Sequence, residues 1–78
     1  MDKHPFTVVG YAIIDHAPEK WVQYQSFCEW TWAEHPTEAE EVVSALIIDR
    51  ENADNIASID TVICAVLPGH HENVSVID

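Results

Sequence analysis

Apolar and polar positions along the chain alternate in runs that predict a β-hairpin near the N-terminus. Residues 6–14 (FTVVGYAII) are rich in β-branched and aromatic side chains, which favour a strand. Gly10 lies inside this run and indicates a bulge or the close approach of another backbone. The polar residues 15–20 include a proline and predict a turn. Residues 21–32 then predict a second strand that pairs with the first.

The second run alternates between two faces, and the more apolar face is predicted to lie in the core. That face carries Val22, Tyr24, Ser26, Cys28, Trp30 and Trp32. The other face carries Trp21, Gln23, Gln25, Phe27, Glu29 and Thr31. A helix is the alternative for this run, but its aromatic and β-branched residues favour a strand. If the second face is uncovered, Trp21 and Phe27 are aromatic anchors among polar groups, a composition typical of protein interfaces.

Residues 37–48 give the clearest helical signal. Thr37 and Glu40 have the spacing of a capping box, which predicts Thr37 as the N-cap after Pro36. Ile48 falls roughly opposite the apolar side, so the helix is predicted to end near Ile47; the alternative is an exposed isoleucine amid acidic surface. The apolar residues recur at helical spacing: Ala39, Val42, Val43, Leu46 and Ile47.

The C-terminal part predicts a third strand. Residues 52–59 predict a short helical turn with Ala53, Ile56 and Ala57 facing inward. The nearly continuous apolar run 61–67 (TVICAVL) predicts a strand buried on both sides or paired centrally. Residues 73–77 predict a short edge strand or a tail. The predicted fold class is α+β, a single small domain over residues 1–78 in which one helix packs on an antiparallel three- to four-stranded sheet (ββαβ).

Charge changes this picture most. The 78 residues include 14 Asp and Glu against 3 Lys and Arg, a formal net charge of −11. Direct binding to a nucleic-acid backbone as the main activity is excluded, because it requires a surplus of Lys and Arg. Residues 34–78 carry ten acids against Arg50 alone. Acids in the first helical turn suit the helix dipole, whereas those from Asp49 to Asp60 have no local role and favour a basic partner. The other interpretation is a solvated acidic surface.

Residues with catalytic or metal-binding chemistry form no convergent motif. His70 and His71 are adjacent, so on an extended segment they point to opposite sides, whereas zinc ligands normally have wider paired spacing. Cys28 and Cys64 lie in apolar runs and predict buried reduced thiols. With only 2 glycines, the chain has no Gly-rich phosphate loop. The sequence therefore predicts a non-enzymatic protein with no metal and no cofactor. The lack of a signal-peptide pattern predicts the cytoplasm.

The size, the acidity, the hairpin, the TEAEE-type helix and the closing VICAVLPG strand together resemble a known class of small proteins. The chain resembles phage-encoded inhibitors, in particular anti-CRISPR proteins and anti-restriction DNA mimics. The similarity covers residues 6–67. It implies an inhibitor that occupies the nucleic-acid-binding groove of a bacterial defence complex, with carboxylates in the place of phosphates.

Three functional hypotheses follow. The first is an inhibitor that binds a basic protein surface, possible DNA mimicry included, without direct nucleic-acid or membrane binding. Its predicted partner-binding residues are Glu34, Glu38, Glu41, Asp49, Glu51 and Asp54. The second is an assembly module that forms a homodimer through an aromatic sheet face with Trp21 and Phe27. A third, related hypothesis is an inhibitor of a host enzyme such as RNA polymerase.

Overall fold

A computed structural model of the chain describes residues 2–17, 21–53 and 56–71. Its elements in chain order are strand β1 (His4–His16), strand β2 (Val22–Ala33), helix α1 (Pro36–Glu51) and strand β3 (Ile56–Pro68). The strands form one antiparallel sheet in the order β2-β1-β3. Helix α1 packs on one face of this sheet and contacts all three strands. The predicted α+β class, the N-terminal hairpin and the single helix are confirmed.

The central strand is β1, which is apolar on both faces. Neighbouring residues of β1 lie on opposite faces of the sheet, and both faces are buried at Val8 and Val9, which are 0% and 1% exposed. The predicted strand at 61–67 is present within β3, but it is neither paired centrally nor buried on both sides: β3 lies at an edge of the sheet and its residues there are partly buried or exposed. The reason is the connection: α1 follows β2, crosses one face of the sheet and delivers the chain to the far side of β1.

Gly10 lies at a close approach of the β3 backbone to β1, as the sequence predicted. The register of this pair shifts at Gly10: Val9 lies opposite Ala65, whereas Gly10 lies opposite Ile63, which leaves Cys64 as the extra residue of a bulge. A Cβ built on Gly10 would collide with the backbone carbonyl oxygen of Val62. Both predicted features, a bulge and a close backbone approach, are therefore present at this position.

The core lies between α1 and the covered face of the sheet. Phe27 is its one buried aromatic residue among those described. Partly buried side chains, including Phe6 of β1 and Ile56, Ile59 and Ile63 of β3, pack against the cluster. The buried members of the cluster are Val8, Ala12, Ile14, Phe27, Ala33, Ala39, Val43 and Ile47.

The predicted orientation of β2 is wrong. Phe27 is 8% exposed beneath α1, whereas Trp30 and Trp32, predicted for the core, are 41% and 54% exposed. Phe27 lies opposite Gly10 in the register, and the missing side chain leaves room for its ring under the helix. Because side chains alternate along a strand, the whole more apolar set of β2 then lies on the face that α1 leaves uncovered.

Helix α1 begins before the predicted N-cap. His35 is the N-cap, and it makes no side-chain capping hydrogen bond, so the predicted capping box of Thr37 and Glu40 is wrong. Pro36 occupies the first turn, where its fixed φ suits a helix and its missing N–H has no intrahelical partner to lose. The backbone N–H of Ala39 donates to the carbonyl oxygen of His35 at 3.2 Å and closes the first turn.

The helix also ends later than predicted. It continues past Ile47 to Glu51, so Ile48 is a 41% exposed isoleucine on its surface, the alternative that the sequence left open. Of the predicted apolar stripe, only one side is buried: Val42 and Leu46 are 42% and 47% exposed. A single sheet face contacts a narrower arc of the helix than the stripe covers.

The predicted helical turn at 52–59 is wrong, because β3 begins at Ile56. Asn52 has an extended backbone, and the N–H of Ile56 donates to the carbonyl oxygen of Ala53 at 3.0 Å. Ile56 packs on the core as predicted, whereas Ala53 and Ala57 are exposed. The predicted strand or tail at 73–77 lies outside the described residues.

Candidate protein-binding surfaces

Three acidic residues lie together on the side of α1 that faces away from the sheet. Each residue of an α-helix is rotated by about 100° from the one before it. This rotation puts Glu38, Glu41 and Asp49 within about 80° of one another around the helix axis, on the side opposite its buried residues. Glu41 and Asp49 are exposed and Glu38 is partly exposed. Glu38 and Asp49 are about 16 Å apart along the helix axis. We call these three residues the acidic surface.

The other predicted partner-binding residues lie elsewhere. Glu34 is partly exposed in the connection before α1. Glu51, at the end of α1, is on the flank shared with Ser44, whose Oγ accepts a hydrogen bond from Thr61 Oγ1 of β3 at 3.0 Å. Asp54 lies outside the described residues. The helix therefore brings together three of the six predicted residues.

The one basic residue of α1 does not interrupt the acidic surface. The Arg50 guanidinium donates from Nη1 to Glu29 Oε1 of β2 at 2.8 Å. Its position in the last turn also suits the negative end of the helix dipole. The outward side of α1 therefore presents carboxylates with no cation between them.

The second surface is the sheet face opposite α1, which we call the open face. On β2 it presents Val22, Tyr24, Trp30 and Trp32, which are 45%, 64%, 41% and 54% exposed. The Trp30 and Trp32 rings meet edge to face with centroids 5.9 Å apart, and Tyr24 meets Tyr11 of β1 at 6.2 Å. Exposed apolar patches of this kind mark interaction sites in soluble proteins.

One end of the open face is covered by the segment that follows β3. Thr7 is fully buried there: its hydroxyl donates to the carbonyl oxygen of Gly69 at 2.7 Å and accepts from the His71 N–H at 2.8 Å. Gly69 turns the chain with a φ of +93°, a conformation that favours glycine. The His70 ring stacks on Trp30 with centroids 4.4 Å apart.

The predicted dimer face requires both Trp21 and Phe27 on an uncovered surface, and the structure contradicts this for Phe27. Phe27 belongs to the core, so it is not available on an uncovered surface. Trp21 is 48% exposed just before β2, where it stacks on the His16 ring with centroids 3.9 Å apart and planes at 2°. His16 Nε2 in turn donates to Gln23 Oε1 at 2.9 Å. Trp21 is thus fixed at the hairpin end of the molecule.

The described cysteines and histidines do not come together in a common site. Cys28 and Cys64 are free thiols, and the predicted burial is wrong for Cys64, which is exposed at the bulge of β3. Cys28 is partly exposed, with its thiol 3.8 Å from the carbonyl oxygen of His71. Over residues 2–17, 21–53 and 56–71 no three His, Cys, Asp or Glu side chains are placed to hold a metal ion, and no pocket is present. Helix α1 lacks the length and apolar character needed to cross a membrane.

The exposed aromatic residues Tyr24, Trp30 and Trp32 were missed as surface residues because they were assigned to the core. One signal for the correct orientation was present. Glu29 shares a face with Phe27, and Arg50 in the last turn of the helix supplies a basic partner for that glutamate. The polar character of the covered face of β2 is therefore compatible with a helix above it.

The chain matches no protein-family model, and no curated protein and no solved structure matches it.

Proposed function

We propose that the chain is a non-enzymatic inhibitor that binds, through the acidic surface of α1, a basic protein surface that otherwise binds nucleic acid. The observation that carries this proposal is the arrangement of charge on α1. Glu38, Glu41 and Asp49 share the outward side of the helix, while Arg50 is turned toward Glu29. An inhibitor of a bacterial defence complex such as a CRISPR effector, acting in the cytoplasm of the host cell, is the specific form we favour.

Electrostatic complementarity supports this choice of partner. A chain with a net charge of −11 repels nucleic acid and is attracted to proteins whose clefts are lined with Lys and Arg. Such clefts recognise regularly spaced phosphates, and carboxylates on one helix side can occupy some of the same cationic positions. Binding of this kind weakens steeply as salt rises, because the attraction between exposed charges is screened.

The decisive experiment measures inhibition of target-DNA binding by purified Cas9-type and Cascade-type effectors at low salt. The test variant is Glu41→Lys, an exposed position on the acidic surface. The matched control is Asp2→Lys, also an exposed acid but away from α1 and from the open face. Both variants change the net charge equally. We expect the test variant to weaken binding about tenfold or more and the control to weaken it much less.

Equal losses in the two variants would show that only total charge matters, and the acidic surface would then not be the binding site. Failure of the unmodified chain to bind either effector would remove the defence-complex target. RNA polymerase, tested with the same two variants, distinguishes a different basic target from the absence of any.

A further inference from the structure

We propose that a second copy of this chain covers the open face, so that two sheets stack face to face with an α1 helix on each outer side. This inference goes beyond the inhibitor proposal, because it concerns the opposite side of the molecule and other residues. The resulting assembly has four layers, helix-sheet-sheet-helix, and a twofold axis between the sheets.

The side chains on the open face are those that protein interfaces use as anchors. Tyr24 and Trp32 are 64% and 54% exposed, and Trp30 is 41% exposed although His70 stacks on it. Tryptophan and tyrosine are enriched among the residues that contribute most to binding energy. Their planar rings also lose little conformational entropy when an interface forms.

The area of the open face suits a stable dimer. Strands of 12–13 residues at about 3.3 Å per residue, spaced about 4.8 Å apart, give a face of roughly 550 Å² before the relief of the side chains is counted. The segment after β3 covers the end of each face at Thr7, so two faces bury less than about 1,100 Å² as flat areas, and the side chains that stand above the sheet add to this. The total lies near the lower limit of specific protein interfaces, about 1,200 Å².

The charge of the open face favours a second copy over a basic partner. None of the three strands contains a Lys or Arg. The register puts two acids on this face, Asp15 and Asp60, and Asp15 already accepts a hydrogen bond from Ser58 at 2.8 Å. A Lys- or Arg-rich protein finds few carboxylates there, whereas an identical face buries apolar surface against apolar surface. Both acids must then stay in water at the rim of the interface, because burial of an unpaired carboxylate is costly.

The test measures the oligomeric state of the full chain by sedimentation velocity and light scattering at about 100 µM. The variant Tyr24→Ser with Trp32→Ser removes two anchors from the open face. The matched control is Val42→Ser with Leu46→Ser, two apolar residues of α1 with similar exposure, 42% and 47%. We expect a dimer for the unmodified chain and the control, and an at least tenfold weaker association constant for the Tyr24/Trp32 variant.

Salt dependence gives an independent readout. Two copies that each carry a net charge of −11 repel each other, so association through an apolar face strengthens as salt rises from about 20 mM to about 300 mM. Binding of the acidic surface to a basic protein has the opposite dependence. The two proposals can therefore fail separately: charge reversal on α1 tests the first, and serine substitution on the sheet tests the second.

A further variant distinguishes stacked faces from pairing of β2 edges. Val62 lies on the open face of β3, the strand farthest from β2. Val62→Ser weakens a face-to-face dimer but leaves a β2 edge-to-edge dimer intact, and the second result overturns the proposal. A monomer at high salt also overturns it. So does a dimer that forms only when Val74, Val76 and Ile77 are replaced by serine, because these residues of the same chain would then be the occupant of the open face. Circular dichroism confirms that each variant is folded.

Discussion

The acidic surface of α1 and the open face of the sheet lie on opposite sides of one thin molecule and differ in almost every property. The first presents carboxylates on a helix, with Arg50 turned away toward Glu29. The second presents aromatic rings, with Trp30 and Trp32 in edge-to-face contact. The two surfaces therefore differ in kind, although the open face also carries Asp15 and Asp60.

The comparison teaches that the two surfaces suit different partners. Exposed carboxylates gain binding energy mainly by long-range attraction to cations, which salt screens. Aromatic rings gain it by leaving water, which salt does not weaken. A single chain of 78 residues can thus carry two interfaces that do not compete, and each of the following changes tests one part of this division.

The largest effect is expected at Gly10, which holds together the sheet that separates the two surfaces. Gly10→Ala places a Cβ against the backbone carbonyl oxygen of Val62, and backbone atoms have little freedom to move away. We expect a loss of about 3 kcal/mol or more in the free energy of unfolding, enough to unfold much of a small domain. Urea denaturation followed by tryptophan fluorescence measures it. A fully stable Gly10→Ala protein would contradict the close strand approach.

Two adjacent isoleucines test whether α1 has one inner and one outer side. Ile47 is 1% exposed in the core, whereas Ile48 is 41% exposed on the helix surface. Ile47→Ala is expected to cost about 2–4 kcal/mol through lost burial and a cavity, and Ile48→Ala about 0.5 kcal/mol or less. Thermal and urea unfolding of the two variants gives the difference. Equal costs would mean that α1 is rotated relative to the sheet.

Thr7 tests how firmly the segment after β3 covers one end of the open face. Thr7→Val preserves shape but removes the hydroxyl that bonds to Gly69 and His71, and it leaves the partly buried Gly69 carbonyl and His71 N–H without that partner. We expect a loss of about 1–3 kcal/mol and faster hydrogen exchange at the His71 amide. Thr7→Ser, which keeps the hydroxyl, is the control and should retain most of the protection. Unchanged exchange in Thr7→Val would show that the segment is held by other contacts.

The smallest effect concerns the ion pair that keeps Arg50 off the acidic surface. Its side chains are 46% (Arg50) and 30% (Glu29) exposed, so solvent and salt screen the pair. A double-mutant cycle with Arg50→Ala and Glu29→Ala is expected to give a coupling free energy of about 0.2–1 kcal/mol that decreases as salt increases. A coupling of zero at low salt would mean that Arg50 is free to approach the carboxylates of the acidic surface.

Much of the fold was predictable because local patterns determine it. The β-branched run 6–14, the helical spacing from Ala39 to Ile47 and the apolar run 61–67 each specify an element type without reference to the rest of the chain. The bulge at Gly10 was also predictable, since glycine within a strand has few other uses. The ends of the elements were less predictable: the helix begins at Pro36, whereas the sequence predicted Thr37 as its N-cap.

The candidate surfaces depend on which face of β2 is covered by the helix, and local patterns do not determine this. Both faces of β2 carry aromatic residues. The sequence predicted that the more apolar face lies in the core, whereas in the structure that face is uncovered. Phe27 instead fills the space above Gly10, and Glu29 gains Arg50. The acidic surface was less affected, because helical spacing alone puts Glu38, Glu41 and Asp49 on one side.

The sequence by itself determined the element types, the ββαβ order and the acidity of the helix, because each depends on residues close together in the chain. The tertiary structure decided that β1 is central, which face of β2 is covered and that Val42 and Leu46 remain exposed. These features depend on contacts between residues far apart in the chain. One helix covers only one face of a three-stranded sheet, and the packing of that helix selects which face remains open.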